Sequence, residues 1–367
     1  MTRTRAVVAV IGGGYAGSAV AKALDEETDV VLIEPKDAFV HAAGALRALV
    51  RPDWAHNMFF PYDKLLRHGR VVRERAASVD AGGVTLASGA RIDADYVVLA
   101  SGSDYPFPAK TDTDVTSEAL EKLRTTHGEL DRAERVLLVG AGPVGLELAG
   151  EIKAVWPQKH VTVVDPAQRL MPGFLPEVRD ELHRQLDELG VDVRLGTALA
   201  EEPPTEPGET KTFTVGTTRE GGGEVTADIW FRCYGVRVSG DYLGDDLAAA
   251  RTPQGIRVTE HLNVQGHSHI YALGDLADLA EAKMAGNAMK HAEVVAENIT
   301  AQARGEHPAA VYRPSPVPSV LLPLGPKGGT GQLATPEGAT VLPAETVSEY
   351  KGTDLLTGRF AELFGTA

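Results

Sequence analysis

The chain has 367 residues, and its hydrophobic share of 43% is sufficient for two or three domains with conventional cores. The 51 acidic and 36 basic residues give a formal net charge of −15, which argues against nucleic-acid binding. Cys233 is the only cysteine, so a disulfide framework and a Cys-x-x-Cys redox pair are both excluded. No apolar run approaches the roughly 18 residues of a membrane-spanning helix, and a first strand from Ala6 predicts that no signal peptide precedes it. We therefore expect a cytoplasmic protein.

A strand–turn–helix–strand pattern occupies residues 6–34. Its turn has the spacing Gly-x-Gly-x-x-Gly, with glycines at Gly12, Gly14 and Gly17, and its second strand ends at Glu34. Near-continuous apolar runs are typical of parallel strands that are buried on both faces. The first glycine makes the turn, the second lets the backbone approach a pyrophosphate, and the third lets helix and strand pack closely. The helix N-terminus supplies a positive dipole for the pyrophosphate, and the acidic residue can accept hydrogen bonds from ribose hydroxyls. The pattern therefore predicts a dinucleotide site.

A second copy of this pattern occupies residues 135–165. Its turn places Gly140, Gly142 and Gly145 at the same spacing, and its second strand ends at Asp165. One such turn is weak evidence, because glycines also mark ordinary tight turns. Two copies, each with a strand before, a helix after and an acidic residue at the end, favour two dinucleotide sites over purely structural turns.

Between and after the two copies, hairpins are predicted. Residues 82–103 indicate a hairpin with a Ser-Gly turn, whose return strand runs into the short turn Ala100-Ser101-Gly102. A second hairpin is predicted with its turn at residues 219–224. Each hairpin follows one of the dinucleotide units.

The last third of the chain begins with a strand that leads to Gly274 and Asp275, followed by a predicted helix over Met284–Ala303. From about Pro308 the composition changes, which predicts a small third domain of strands that ends in a short helix. The apolar residues expected to share one face of that helix are Leu355, Leu356, Phe360, Leu363 and Phe364.

Two short motifs resemble those of flavoproteins that bind two dinucleotides. The pair at 274–275 resembles their Gly-Asp motif, whose aspartate binds the ribityl chain of FAD. The turn at 100–102 resembles their Ala-Thr-Gly turn, and the serine at its centre retains the hydroxyl. In that family the first unit binds FAD and the second binds NAD(P)H, stacked so that hydride passes between them. The resemblance thus implies one flavin and one nicotinamide.

Four longer segments narrow the resemblance. Residues 36–50, 101–110, 147–164 and 258–275 resemble the apoptosis-inducing-factor-like quinone reductases, and the type II NADH dehydrogenases are more distantly similar. The resemblance covers residues 6–305 well. It implies an α/β fold with two Rossmann-like dinucleotide-binding domains of the glutathione-reductase-like type and a small C-terminal α+β domain.

The resemblance also implies a division of the chain into three parts. The first unit, residues 1–110 and 254–305, is expected to bind FAD. The second unit, residues 111–253, is expected to bind NAD(P)H. The C-terminal segment, residues 306–367, is expected to border the quinone entrance and a membrane surface. The alternative for its last helix is packing against its own domain or a partner subunit.

Site residues follow from the resemblance position by position. Arg47 is expected to contact FAD, and Val71 is expected to contact the adenine through its backbone. The full set of expected FAD contacts is Gly12, Gly14, Tyr15, Ala16, Gly17, Glu34, Pro35, Lys36, Arg47, Val71, Ala100, Ser101, Gly102, Gly274, Asp275, Lys283, Met284 and Ala285. The expected NAD(P)H contacts are Gly140, Gly142, Pro143, Val144, Gly145, Glu147, Asp165 and Gly235. The late Trp-Lys pair of the family finds no match, and no metal site is predicted.

Glu147 and Lys283 are the candidate catalytic residues. The glutamate that matches Glu147 in type II NADH dehydrogenases lies near the isoalloxazine and the nicotinamide, where it could assist proton movement. The alternative is a first-turn carboxylate that stabilises the helix dipole by on the order of a few tenths of a kcal/mol. Lys283 begins the segment that would place a helix N-terminus against the flavin pyrimidine ring. Glu151 and His291 are expected to be structural, and Cys233 is expected to be a small buried hydrophobe.

The predicted activity is transfer of hydride from NADH to flavin N5, followed by transfer of electrons to a quinone-like acceptor, since no cysteine is placed to relay them. Asp165 favours NADH over NADPH because it pairs with the ribose 2′-hydroxyl, although Arg169 leaves NADPH open. Two alternatives are a slow NADH-sensing flavoprotein and a reductase of a protein electron carrier. Such carriers are acidic, so a chain with a charge of −15 would repel them unless it presents a basic patch. A monomer or homodimer is expected, with peripheral contact to the inner face of a membrane through the C-terminal segment.

Overall fold

The computed structural model describes residues 5–218 and 223–366, so residues 219–222 of the second predicted turn lie outside the described part. The strands in the described part, numbered in chain order, are β1 (Val7–Ile11), β2 (Asp29–Ile33), β3 (Ala38–Val40), β4 (Phe59–Pro61), β5 (Arg70–Val72), β6 (Ala76–Asp80), β7 (Gly83–Leu86), β8 (Arg91–Asp93), β9 (Tyr96–Leu99), β10 (Ser103–Asp104), β11 (Arg135–Val139), β12 (His160–Asp165), β13 (Val191–Leu195), β14 (Phe213–Gly216), β15 (Glu224–Ala227), β16 (Ile229–Arg232), β17 (Arg237–Val238), β18 (Arg251–Thr252), β19 (Gly255–Ile256), β20 (Ile270–Ala272), β21 (Val320–Leu324), β22 (Gly328–Thr335) and β23 (Gly338–Leu342). The α-helices are α1 (Tyr15–Leu24), α2 (Ala45–Val50), α3 (Thr116–Arg132), α4 (Pro143–Val155), α5 (Pro176–Glu188), α6 (Asp245–Ala248), α7 (Ala285–Ala303), α8 (Ala344–Val347) and α9 (Thr357–Leu363). Shorter helical turns include the 3-10 turn Gly274–Leu276 and the π-helical turn Ser348–Gly352.

A parallel sheet of five strands, in the order β20-β9-β1-β2-β5, forms the centre of the first unit. Along β1, Val8 and Val10 join the core beneath α1 and α7, whereas Ala9 and Ile11 join the core on the opposite face. Burial on both faces is what the continuous apolar runs predict. Because β20 lies beside β9, the chain returns to this sheet after passing through residues 111–253.

A second parallel sheet, in the order β13-β12-β11-β16, repeats this architecture. On one face, Leu138 packs in the same core as Leu146 and Ile152 of α4. On the other face, Leu137 and Trp230 pack with the β14–β15 hairpin. The predicted α/β class with two Rossmann-like units is confirmed.

The last part of the chain forms an antiparallel sheet, β21-β22-β23, that packs on the second unit. A Cβ atom placed on Gly150 of α4 would lie 2.5 Å from the Cα atom of Leu324, so α4 lies directly against the backbone of β21. Phe360 and Phe364 are buried against Phe39 of the first unit, with ring centroids 5.3 and 4.8 Å apart. The C-terminal segment therefore contacts both units.

Two predicted elements differ from the structure. The hairpin expected over residues 82–103 ends with β8, because β9 instead pairs in parallel with β1 in the first sheet. The last helix covers only Thr357–Leu363, so Leu355 and Leu356 precede it with left-handed φ values of 58° and 64°. The five apolar residues therefore do not share one helical face. Within residues 5–218 and 223–366, no helix has both the length and the apolar character that crossing a bilayer requires.

Candidate functional site

The first glycine turn leaves the N-terminus of α1 open. Gly12 has a φ of 99°, and a Cβ atom there would lie 2.5 Å from the carbonyl oxygen of Ala100. A Cβ atom on Gly17 would lie 1.8 Å from the oxygen of Gly12, whereas one on Gly14 would meet no atom within 4 Å. No side chain caps the helix. The turn is thus packed against protein atoms at Gly12 and Gly17 but has open space beside Gly14. The uncapped N–H groups and the helix dipole at this end of α1 suit a bound pyrophosphate.

Glu34 ties the end of β2 to this turn. Its Oε2 accepts a hydrogen bond from the N–H of Gly13 at 2.6 Å, and its Oε1 accepts one from the N–H of Lys36 at 2.9 Å. Burial raises the pKa of this carboxyl, while the two donors oppose that shift. Tyr62, which the sequence analysis missed, donates its hydroxyl to the carbonyl oxygen of Gly13 at 2.8 Å.

The second glycine turn has the same construction. Gly140 has a φ of 114°, and a Cβ atom on Gly145 would lie 1.9 Å from its oxygen. A Cβ atom on Gly142 would meet no atom within 4 Å, and no side chain caps α4. Asp165 accepts from the N–H groups of Ala141 and Ala167, each at 2.7 Å. The two units therefore offer two equivalent cradles for a pyrophosphate.

The end of β16 lies beside the second turn. A Cβ atom on Gly140 would lie 2.7 Å from the carbonyl oxygen of Cys233, and this oxygen accepts the hydroxyl of Tyr105 at 2.6 Å. Gly235 follows, exposed and with a φ of 100°. Cys233 is buried, and this burial raises the pKa of its thiol to about 12. The thiol therefore stays protonated and packs as a small hydrophobe, as expected.

The Gly-Asp pair lies across from the first turn. A Cβ atom on Gly274, whose φ is 65°, would lie 3.3 Å from the Cβ atom of Ala16. Asp275 Oδ2 accepts the hydroxyl of Ser103 at 2.6 Å, and the ammonium of Lys110 lies 3.7 Å away. Lys283 donates to the carbonyl oxygen of Asp275. The contacts with Ser103 and Lys110 were not predicted, although both residues lie within the segment 101–110 that carries the resemblance.

His291 has a structural role beside this pair. Its Nδ1 accepts the N–H of Gly274 at 3.0 Å, so Nε2 carries the proton and donates to Glu281 at 2.9 Å. Tyr312 donates to the other oxygen of Glu281 at 2.6 Å. These bonds fix the turn that precedes α7, whose first residue is Ala285 and whose N-cap is Met284.

Tyr15 lies where the two units meet. Burial raises the pKa of its phenol, and the carboxylates of Asp275 and Glu147 raise it further. Its hydroxyl accepts the N–H of Ala43 at 3.2 Å and donates to Nδ1 of His41 at 3.0 Å. The adjacent Ala16 lies against Gly274 of the Gly-Asp turn, and Arg47 of α2 binds Glu151 of α4, so contacts from both units meet near this residue.

Glu147 forms an ion pair with a residue that the sequence analysis missed. Its Oε1 accepts a hydrogen bond from the ammonium of Lys351 at 2.7 Å, and their side chains are only 12% and 17% exposed. Burial raises the pKa of Glu147, and Lys351 opposes this shift. Within the described residues, Oε2 accepts no hydrogen bond.

The helix-dipole explanation for Glu147 does not fit the structure. The first helical residue of α4 is Pro143, so Glu147 is the fifth residue and lies beyond the first turn. The dipole effect falls off within that turn. The contact with Lys351 explains the position of this carboxylate better.

Other expected FAD residues lie around the first unit. Val71 lies in β5, an edge strand of the five-stranded sheet, so one side of its backbone has no strand partner there. Lys36 donates to the carbonyl oxygen of Thr113 at 2.8 Å. Ser101 donates to Ser239. Arg47 forms an ion pair with Glu151 at 2.7 Å.

The buried ring of His41 predicts a loss of stability in mild acid. Its Nε2 donates to the carbonyl oxygen of Leu355 at 2.6 Å, and burial lowers its pKa from 6.5 to about 4. Between these values the unfolded chain takes up a proton that the folded chain does not, so the free energy of unfolding falls as pH falls, by about 3 kcal/mol. Urea unfolding at several pH values between 7.5 and 4.5 measures this loss. His41→Gln is expected to lose less over the same range, and an equal loss in both proteins would contradict the prediction.

Two parallel sheets, each with an open glycine turn at a helix N-terminus, define a protein that binds two dinucleotides. The chain matches the family model described as pyridine nucleotide-disulphide oxidoreductase over residues 6–298. It belongs to this family. Ala6 and Asn298 bound the match, which spans both glycine turns and the Gly-Asp pair.

Curated relatives and solved structures agree with this assignment. The chain is 33% identical over 339 residues to ferroptosis suppressor protein 1 of Taeniopygia guttata, which covers 89% of this chain and 88% of that protein. It is 29% identical over 358 residues to apoptosis-inducing factor homolog B of Dictyostelium discoideum, which covers 91% of each. The fold is similar to sulfide:quinone oxidoreductase of Aquifex aeolicus, with a TM-score of 0.79 at 18% identity over 98% of this chain and 92% of the other.

These findings confirm the predicted class. The protein is an FAD-dependent NAD(P)H oxidoreductase, and its cofactors are FAD and NAD(P)H. The resemblance to apoptosis-inducing-factor-like proteins is likewise confirmed.

Proposed function

We propose that this protein oxidises NADH and passes two electrons from FAD directly to a quinone, with Glu147 and Lys351 at the site of proton exchange. The observation that carries this proposal is their largely buried ion pair, in which Glu147 lies on the helix that begins at the second cradle and Lys351 lies in the π-helical turn Ser348–Gly352. The single cysteine is buried and protonated, so no thiol is available to relay electrons.

The residues of both cradles fit the two dinucleotides. Bound FAD supplies the two-electron carrier between NADH and the acceptor. The open positions Gly14 and Gly142 admit a pyrophosphate at the N-termini of α1 and α4. The hydroxyl of Ser103 binds Oδ2 of Asp275 and so orients this carboxylate. The other carboxylate oxygen faces away from the serine hydroxyl and can bind the ribityl chain. Asp165 favours NADH, because a carboxylate at the end of this strand repels a 2′-phosphate.

Glu147 is suited to move a proton. The overall reaction, NADH + H⁺ + quinone → NAD⁺ + quinol, consumes one proton from solvent. A buried carboxyl with a raised pKa holds a proton closer to neutral pH than an exposed one does. Lys351 holds Oε1, so Oε2 remains to deliver the proton to a bound acceptor. Lys283, which contacts the Gly-Asp turn, is proposed to stabilise negative charge on the bound cofactor.

The three-part division of the chain is proposed on the basis of sheet membership. Strand β20 shares a sheet with β1, which supports a discontinuous FAD-binding domain of residues 1–110 and 254–305. The second sheet lies wholly within residues 111–253. For membrane contact through residues 306–367, Phe360 and Phe364 are not candidates because they are buried, whereas the exposed apolar side chains of this segment include Val311, Leu333, Tyr350 and Leu356.

The test is NADH oxidation by the purified holoprotein, in air and anaerobically, with and without a short-chain ubiquinone or naphthoquinone. We expect turnover that depends on quinone and is slow with oxygen alone. Flavin that NADH bleaches but no quinone reoxidises would contradict the proposal and direct attention to a protein carrier or an NADH-sensing role. Ferredoxin added in place of quinone separates these two outcomes.

A further inference from the structure

We propose that Arg47 and Glu151 are positioning residues that hold Lys351 against Glu147, and that this is the role of Arg47 in place of the expected contact with FAD. The inference rests on the proposed function, because it treats Glu147 and Lys351 as the reactive pair. It concerns four residues from three parts of the chain.

The guanidinium of Arg47 is almost fully committed within the protein. Its Nη2 and Nε donate to Glu151 Oε1 at 2.7 and 3.1 Å, and the two side chains are 3% and 4% exposed. Nη2 also donates to the carbonyl oxygen of Gly352 at 2.6 Å, and Nη1 donates to that of Thr353 at 2.8 Å. Four of the five N–H groups are therefore used, and one is left for any cofactor.

The two carbonyl groups that Arg47 binds directly follow Lys351 in the chain. Gly352 ends the π-helical turn Ser348–Gly352, which carries the lysine. Fixing the backbone on its C-terminal side limits where the ammonium can lie. Because every residue has a backbone carbonyl group, Arg47 can hold this turn whatever side chains the residues of the turn carry.

One helix supplies both carboxylates of the arrangement. Glu147 and Glu151 are four residues apart in α4 and so lie on the same face. The first binds Lys351 directly, and the second binds the turn through Arg47. The two carboxylates repel one another, and each is paired with a cation. Removal of Arg47 would leave Glu151 buried, charged and unpaired, so the turn and α4 would both have to shift.

Glu151→Gln is the primary variant, because it keeps the shape of the side chain and removes only its charge. Arg47→Lys keeps the charge and loses the forked geometry that binds carboxylate and carbonyl groups together. The matched control is Glu181→Gln, which breaks the exposed pair with Arg184 on α5. Four quantities are measured in the holoprotein: amide hydrogen exchange over residues 348–356, kcat and KM with a short-chain ubiquinone, and the dissociation constant of FAD.

We expect Glu151→Gln to speed exchange over residues 348–356 about tenfold, to lower kcat by about tenfold to a hundredfold, and to leave the affinity for FAD unchanged. Arg47→Lys should fall between this variant and the natural protein. The control should change none of these values. Unchanged exchange over residues 348–356 in both variants would overturn the inference, as would an Arg47→Lys protein that loses FAD while Glu151→Gln keeps it.

Failure of the proposed function is distinguishable from failure of the inference. If Glu147→Gln turns over quinone normally, the pair is not the reactive one, and the proposed function fails whatever the exchange data show. If Glu147→Gln is impaired but Glu151→Gln is normal in both exchange and kcat, only the positioning role is overturned.

Discussion

The substitution Gly142→Ala is expected to weaken NADH binding strongly without destabilising the fold. The substitution Gly145→Ala is expected to destabilise the fold itself. Gly142 has φ −76° and ψ −177°, which alanine adopts freely, and its Cβ atom would meet no protein atom within 4 Å. It would instead fill the space that the pyrophosphate needs. At Gly145 the Cβ atom would lie 1.9 Å from the carbonyl oxygen of Gly140. Helix and strand would have to separate, at a cost of about 3 kcal/mol or more.

Urea unfolding and NADH kinetics of the two variants test this contrast. Gly142→Ala should unfold at the urea concentration of the natural protein and raise KM for NADH by about a hundredfold. Its FAD content should not change, because the first cradle is intact. Normal NADH kinetics in Gly142→Ala would show that this turn is not the nicotinamide site. The first turn offers the matched control pair, since Gly14 is equally open and Gly17 equally crowded.

The fold could be predicted largely because its signals are local. Parallel strands that are buried on both faces give continuous apolar runs, and a tight turn that must admit a pyrophosphate requires glycines at fixed spacing. The structure places Gly12 and Gly140 at positive φ and closes both turns against neighbouring carbonyl oxygens. The apolar runs and the glycine spacing each lie within one strand–turn–helix–strand unit, whereas the carbonyl oxygens that close the turns, those of Ala100 and Cys233, come from strands distant in sequence.

The composition of the site could be predicted less well, because its contacts are distant in sequence. Lys351 lies 204 residues from Glu147, and neither periodicity nor spacing connects them. The last helix was predicted too long for a related reason, since two leucines with left-handed backbone follow no helical pattern.

Arg47 illustrates a different limit. The resemblance assigns it to FAD by position, and the structure shows in addition that its side chain binds Glu151 and the backbone of residues 352–353. A long, forked side chain can reach either partner from the same place in the chain. The contact of Arg47 with FAD stays a prediction, and the contacts with Glu151 and residues 352–353 are what the sequence did not indicate.

Glu147→Gln is expected to lower kcat with quinone by about a hundredfold while the protein keeps its fold, its FAD and its affinity for NADH. The amide has nearly the same shape as the carboxylic acid, but it cannot release a proton. Glu177→Gln is the matched control, because Glu177 is the acidic residue in the first turn of α5. A carboxylate that only stabilised a helix dipole would behave like this control, with a small loss of stability and an unchanged kcat.

The pH profile of kcat distinguishes proton transfer from a merely structural effect of the pair. Since the raised pKa belongs to a group that must be protonated to act, the rate should fall as pH rises through that pKa. Lys351→Met removes the cation that opposes the shift, so the pKa of Glu147 should rise further and the falling limb should move to higher pH. In Glu147→Gln the limb should disappear. A falling limb that stays at the same pH in Lys351→Met would assign it to another group and leave Glu147 without a part in proton transfer.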